Sequence, residues 1–324
     1  MPELPFLNDP NVPYDWLSDL QPVFAAQEAW NDQSYRQIRT VHLMYASEGP
    51  FAIAGGAGLL AEHVRLFRMS PAVIARLGHV SDEKGRSVFQ ESFLNHLQRL
   101  QLRVQVNMPP DGSLLLPGEP ILIAQGPVLQ LRLLESAFRL LVWHSTHWAT
   151  RAALSRWAKS DLAEEDTAPP PAFPPNPLGW KIRAAYTGGA SADEILENVS
   201  SPSRPLFPSE GLQTAEKTPG EPLGQIRRLF KGQQLLGDVW LTQAEEESAS
   251  VSKNSMRVAD QVTGQHIDVN MTRFQNLYQP CLVKGHPVLP AQRLAYFRQR
   301  SLKQMEMYRQ AQESGIFYGW LNAV

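Results

Sequence analysis

The stretch from Ser113 to Trp157 constrains this chain most. Leu114 to Leu116 is a short apolar run. Pro117-Gly118-Glu119-Pro120 breaks it, because proline fixes φ and glycine accepts a positive one. Ile121 to Ala124 reads as a second strand, stopped by Gly126-Pro127. Beyond Val128, the residues Leu129, Leu133, Ala137, Leu140, Leu141 and His144 recur at intervals of three and four. That spacing lines them along one stripe of a helix, with Gln130, Arg132 and Arg139 mostly off it. The expected local structure is a buried β-hairpin feeding a core helix that ends in a His-Ser-Thr-His segment.

Before this stretch, Tyr14 to Trp30 reads as a helix with Leu17, Leu20, Phe24 and Ala25 on one face and Ser18 or Asp19 as its cap. Arg39 to Tyr45 reads as a strand, and Phe51 to Leu60 as a glycine-rich strand-to-helix turn. Ala61 to Phe67 is helical in pattern. Ser70-Pro71 starts a short helix with serine as cap and proline in the first turn. Val88 to Leu100 shows helical spacing, and Leu102 to Val106 alternates like a strand. After Lys159 the texture changes. Asp161 to Pro177 holds Glu164-Glu165-Asp166 and then Pro169-Pro170-Pro171, Pro174-Pro175 and Pro177, which no helix interior or central strand tolerates. It is expected to be an extended linker. Residues 200–222 are again rich in proline and serine. Strand patterns follow over Gln225 to Leu241 and Phe274 to Val288, and Leu294 to Gln312 reads as a terminal helix.

Charge and cysteine content narrow the function classes. With 30 basic and 32 acidic residues the net charge is −2, which favours neither nucleic acid nor an anionic membrane. No apolar run approaches the roughly 20 residues of a bilayer span. Met1-Pro-Glu-Leu-Pro-Phe6 lacks the basic and apolar regions of a secretory signal. The single cysteine, Cys281, excludes an internal disulfide and a multi-cysteine metal site. These features point to a cytoplasmic protein.

The residues with chemical potential are few. His144 and His147 sit three apart on one helix, but no Asp, Glu or Cys accompanies them at a metal-binding spacing, so packing or a helix-end hydrogen bond is the expected role. Gly55-Gly56-Ala57-Gly58 precedes a helix, where phosphate can sit. Without a following Lys-Ser/Thr, close strand–helix packing accounts for it better. Arg227 and Arg228 are candidate phosphate ligands, with a solvated hairpin edge as the simpler expectation. Cys281 has no evident activating partner and reads as a small buried apolar residue.

The ordered series Gly118-Glu119-Pro120, Gln125-Gly126-Pro127, Leu134-Glu135-Ser136, His144-Ser145-Thr146 and Ala149-Thr150-Arg151-Ala152-Ala153 resembles the nicotinate phosphoribosyltransferase family. So do Ala184-Ala185-Tyr186-Thr187-Gly188-Gly189, Lys217-Thr218-Pro219-Gly220, and Leu235-Leu236-Gly237-Asp238-Val239. The resemblance covers roughly residues 14–159 and 178–320. It implies an α+β fold: the α/β sandwich formed by the N- and C-terminal parts of such enzymes, with the catalytic barrel largely deleted. The implied parts are 1–159, the N-terminal sandwich; 160–177, a linker; 178–199, a remnant of one barrel helix and turn; 200–215, a loop; and 216–324, completing the sandwich.

What departs from the family is expected to decide the function. The family's pocket tyrosine falls at Gln21, and its basic element after the first strand is replaced by His42-Leu43-Met44-Tyr45. The acidic Asp-Ser-Gly-Asp turn, the glycine-rich phosphate loops and the arginine-rich signature at the barrel entrance do not occur. The resemblance therefore implies a degenerate, non-catalytic binding or regulatory protein, with no cofactor and no metal, and with His144, Thr146, Arg151, Arg183, Gly188 and Gly189 as a residual ligand pocket. The family's dimer surface implies a homodimer, and a protein partner fits the exposed linkers. The alternative is an active transferase of NAD salvage, alone or with a barrel-bearing partner subunit, which would use PRPP and Mg²⁺.

Overall fold

The computed structural model describes residues 20–159, 177–191, 194–195, 213–214, 225–241, 255–260, 266–289 and 293–323. Of the expected linker over 160–177 only Pro177 is described, and it opens a helix; of the expected loop over 200–215 only Gln213-Thr214 are described, and they pair with the strand over Ile38–Met44 rather than forming a loop. The rest of both, the Lys217-Gly220 segment and the first part of the Tyr14–Trp30 helix lie outside the described residues. The described part of that helix, α1 (Gln21–Asn31), has Leu20 at its N-cap and no side-chain cap; Pro22 occupies its first turn.

The first sheet contains β1 (Ile38–Met44), β3 (Gln105–Met108) and β5 (Pro120–Pro127) at its centre, the short β6 (Gln213–Thr214) at one edge, and β12 (Gln279–Val283) and β13 (His286–Pro287) at the other. Distant parts of the chain thus share one sheet, in the order β13-β12-β3-β5-β1-β6. β5 is buried almost throughout, since Ile121 to Ala124 reads as a continuous apolar run. A separate pair joins β2 (Ala52–Ile53) to β4 (Leu114–Leu115).

The expected hairpin is not formed, and this corrects the sequence reading. β4 pairs with β2, whereas β5 pairs with β1 and β3. The Pro117-Gly118 turn, with Gly118 at φ 91°, carries the chain from one ladder to another rather than back along itself. Two adjacent apolar runs around a Pro-Gly turn look local in sequence, but both have better partners far along the chain.

The core helix forms as expected, in three consecutive pieces. α5 (Val128–Ala137) passes into a π-helical segment, Phe138–Trp143, and then α6 (His144–Ala158). Leu129, Leu133, Ala137 and Leu141 are buried on the apolar stripe. Gln130 is buried too. Its side chain accepts from the Arg103 N–H at 2.7 Å and donates to the Gln101 carbonyl at 2.9 Å, tying the helix to the chain entering β3. Around this axis sit α2 (Ala57–Leu66), α3 (Pro71–Gly78), α4 (Glu91–Gln98) and α7 (Pro177–Thr187). Ser70 caps α3, accepting from the Val73 N–H at 3.3 Å.

The second sheet has the order β10-β9-β14-β8-β7-β11, built from β7 (Gln225–Lys231), β8 (Gln234–Leu241), β9 (Ser255–Asp260), β10 (His266–Asn270), β11 (Arg273–Asn276) and β14 (Gly319–Ala323). Only the β14–β8 ladder is parallel. The terminal helix α8 (Leu294–Glu313) packs against β8, β4, α6 and α7. Among the described residues neither sheet closes into a barrel.

Candidate functional site

The glycine-rich turn after β2 serves close packing. A Cβ on Gly56, whose φ is 95°, would lie 2.0 Å from the Leu141 carbonyl oxygen, and one on Gly55 would lie 3.1 Å from the Ser145 backbone. The start of α2 is therefore pressed onto the π-helical turn and the first turn of α6. Asp111 caps α2, accepting from the Ala57 N–H at 2.9 Å and the Gly58 N–H at 3.5 Å. Burial pushes the Asp111 carboxyl up, opposed by the nearby Arg183 and by these two N–H groups. An anion at the helix start is favoured by the macrodipole, and the protein supplies that anion itself.

The six sequence-derived pocket residues fall in three places. The first holds His144, Thr146 and Arg151 on α6. The Trp148 Nε1–H donates to His144 Nε2 at 3.0 Å. Burial, then His147 and Lys181, lower the His144 pKa to about 4, so this imidazole is neutral and an acceptor at physiological pH. Lys181 lies 4.0 Å from the centroid of the Trp148 ring and the Arg151 guanidinium 5.1 Å from it, so both cations are attracted to one indole. Thr146 is fully buried; its hydroxyl accepts from the Gly55 N–H at 3.3 Å. Beside them, His147 stacks on Trp143 with ring planes 6° apart, and its Nδ1 meets the Tyr45 hydroxyl at 3.3 Å.

The second place holds Arg183. It lines a cavity of about 300 Å³ with Asp111, Glu62, Arg65 and Phe297. Its guanidinium is 4.0 Å from the Asp111 carboxylate and 5.6 Å from the Phe297 centroid. Lys181 and Arg183 are two residues apart on α7, which sends them to different sides of the helix.

The third place holds Gly188 and Gly189, where α7 ends against α6. A Cβ on Gly188 would lie 2.0 Å from the Ala149 carbonyl oxygen. Gly189 has φ 100°, and its carbonyl accepts from buried Arg156 at 2.9 Å. This is a left-handed helix end wedged onto a neighbouring helix.

The largest concentration of buried charge centres on Arg228, a sequence candidate, with partners that were not: Asp238 and Glu119. Arg228 and Asp238 face each other across the β7–β8 ladder. Nε donates to Oδ1 at 2.8 Å and Nη2 to Oδ2 at 2.6 Å. Nη2 also donates to the Leu114 carbonyl at 2.6 Å, and Nη1 to Gln304 Oε1 at 2.9 Å. The same Gln304 oxygen accepts the Leu114 N–H at 2.7 Å. Glu119 is buried beside this pair; its Oε2 accepts the Leu116 N–H at 3.0 Å. Burial first, then the charge of Asp238, hold the Glu119 carboxyl well above the usual range. Tyr278 donates its hydroxyl to the Pro120 carbonyl. One network thus joins β4, β7, β8, α8 and the turn before β5.

The expectation of a solvated edge for Arg227 and Arg228 is overturned. β7 lies inside its sheet, between β8 and β11. Arg228 is 3% exposed and Arg227 8%, with the Arg227 guanidinium 4.3 Å from the Phe274 ring centroid. Cys281 is buried as expected, and burial pushes its thiol up to about 12.

No family model matches the chain. In sequence, 144 residues are 31% identical to human nicotinate phosphoribosyltransferase, covering 43% of this chain and 26% of that protein. The Bacillus subtilis nicotinate phosphoribosyltransferase is 25% identical over 197 residues, 60% of this chain and 38% of that one. The rat nicotinate phosphoribosyltransferase is 35% identical over 109 residues, 33% of this chain and 20% of that one. The matched stretch is thus well under half the length of each of these relatives. In structure, the chain superposes on human nicotinic acid phosphoribosyltransferase with a TM-score of 0.68 at 16% identity, covering 94% of this chain and 97% of that one. The chain is similar to the nicotinate phosphoribosyltransferases, in sequence over part of its length and in fold over most of it.

Proposed function

We propose that this nicotinate phosphoribosyltransferase-like protein is catalytically degenerate and serves as a cytoplasmic, homodimeric binding or regulatory protein. The observation that carries this reading is the engagement of Arg228. Nε, Nη1 and Nη2 each donate to a partner inside the chain, so this buried cation braces strands instead of gripping a phosphate. Phosphoribosyl transfer builds positive charge on ribose as pyrophosphate leaves. It calls for amides or cations around the phosphates and usually for carboxylates holding Mg²⁺. The buried carboxylates do not fit that metal: Asp111 caps α2, Asp238 is paired with Arg228, and burial and the Asp238 charge disfavour the ionised form of Glu119. The family's acidic turn and phosphate loops are also missing from the sequence.

A small flat anion is the ligand that the His144 cluster suits best. It offers the exposed Arg151 guanidinium, held over the Trp148 ring, and His147 Nε2, a buried atom with no partner among the described residues. Nicotinate, PRPP and Mg²⁺ supplied to the purified protein are expected to give no mononucleotide. Robust turnover would overturn the reading in favour of an active transferase, and turnover that appears only with a co-purifying barrel-bearing chain would identify a two-subunit enzyme. Equilibrium dialysis with nicotinate tests the pocket separately: weak binding is expected, and R151A is expected to abolish it.

A further inference from the structure

We propose that the basic groove between the end of α2 and the β12–β13 hairpin docks an acidic, amphipathic peptide segment of a partner protein. The groove encloses about 1030 Å³. Arg65, Arg68, Arg103, Lys284 and His286 line it, and among the described residues no Asp or Glu does. Beyond the Leu100–Arg103 segment lies a second hollow of about 470 Å³ with Arg36, Arg99 and Arg103, again without a carboxylate among the described residues of its lining. A chain with 30 basic and 32 acidic residues has therefore collected one sign of charge on both sides of a single ridge. Arg65 shares its charge with Glu62 at 2.5 Å on the rim. Arg68, Arg103 and Lys284 have no carboxylate within ion-pair distance among the described residues.

The groove is built rather than incidental. Its floor includes the buried side chains of Val64, Phe67 and Met69. One wall is the hairpin tip, where Lys284 adopts φ 50°, a left-handed conformation that costs free energy for any residue with a side chain. The tip is pinned there. The Gly285 N–H donates to the Val104 carbonyl at 2.8 Å, and a Cβ on Gly285 would lie 2.2 Å from the Leu102 carbonyl oxygen. A pre-set wall lowers the ordering cost of binding.

Size and chemistry favour a peptide over a small anion. The groove alone reaches the upper end of the roughly 300–1,000 Å³ that small ligands occupy, and the same charge continues past the ridge. A cationic rim over an apolar floor matches a segment whose acidic residues alternate with apolar ones, each using one part of the surface. The inference stands apart from the proposed loss of catalysis, because an active transferase could carry the same groove.

The probe is a fluorescein-labelled peptide of alternating Glu and Leu, about twelve residues long and so roughly 40 Å when extended, followed by anisotropy on the full chain. Saturable binding that weakens as salt rises is expected. The variant R68E/R103E/K284E is expected to lower the affinity at least tenfold, while its far-UV dichroism and melting stay those of the parent. Should the triple variant misfold, R68Q is expected to weaken binding about threefold. No binding up to millimolar peptide, equal affinity for a Lys-Leu counterpart, or indifference to charge reversal would each overturn the proposal. Displacement by inorganic tripolyphosphate at lower concentration than the peptide requires would overturn it too, making the groove a small-anion site.

Discussion

Arg228 and Asp238 meet through two parallel hydrogen bonds, at 2.8 and 2.6 Å, with side chains only 4% and 0% exposed. Removing one partner of such a pair leaves an uncompensated charge out of water. Arg228→Met is therefore expected to cost about 3–5 kcal/mol, read from urea unfolding. It also releases Gln304 and the Leu114 carbonyl, which the guanidinium holds. Arg228→Lys is expected to recover little of this loss, because an ammonium cannot present the planar fork. A lysine variant as stable as the parent would show that charge alone, without the bidentate geometry, holds these strands.

Glu119 sits beside that pair and holds its proton more tightly in the folded state than in the unfolded chain. Its folded pKa lies well above the ordinary 4.5 because of burial and the Asp238 charge. The folded protein therefore keeps a proton that the unfolded chain gives up. Linkage then makes stability fall as pH rises above that ordinary value. Glu119→Gln keeps a neutral group of similar shape, so it is expected to flatten this part of the stability–pH curve and to gain on the parent towards neutral pH. Parallel denaturation curves across pH 5 to 8 decide the matter, and curves of identical slope for both proteins would contradict it.

The order of the elements was legible because apolar periodicity is local. The stripe of Leu129, Leu133, Ala137 and Leu141, the Ser70 cap and the terminal helix follow directly from spacing. Strand partners were not legible in the same way. Leu114-Leu115 and Ile121–Ala124 look like two arms of one hairpin, and only the competing ladders with β2, β1 and β3 separate them. Two adjacent arginines suggested a solvated edge because charge is usually outside. The two-residue turn at Gly232-Gln233 would by itself set Arg228 opposite Gly237; the bulge between Leu229 and Phe230, which the sequence does not announce, shifts the register and sets Arg228 opposite Asp238, where the two charges are buried together. The grouping of Arg183 with His144 failed to form because residues two apart on α7 diverge around the helix.

His144 makes a second, opposite contribution to the pH profile. Its pKa is lowered to about 4 from 6.5, chiefly by burial. Between those values the unfolded chain takes up a proton that the folded chain refuses, so stability falls as pH drops through that window. At 1.36 kcal/mol per pKa unit the loss is up to about 3 kcal/mol. His144→Gln retains an acceptor for the Trp148 Nε1–H and is expected to lose this acid sensitivity. Thermal melts at pH 7 and pH 4.5 measure it: the parent's melting temperature is expected to drop further than the variant's.

Two glycines separate packing from backbone strain and bear on the pocket reading. Gly85 has φ 74° and open space where a Cβ would go. Gly85→Ala is therefore expected to cost only the left-handed penalty, about 1–2 kcal/mol. At Gly188 a Cβ would lie 2.0 Å from the Ala149 carbonyl oxygen, and backbone cannot swing aside as a flexible side chain would. Gly188→Ala must push the end of α7 off α6, disturbing Gly189 and its bond from Arg156. A cost of 3 kcal/mol or more is expected, at or beyond the upper end of ordinary overpacking. A residue that merely lined a ligand pocket would behave differently, with ligand affinity falling while the melting temperature held. A Gly188→Ala protein that melts like the parent would mean that the α6–α7 contact is looser than the backbone positions require.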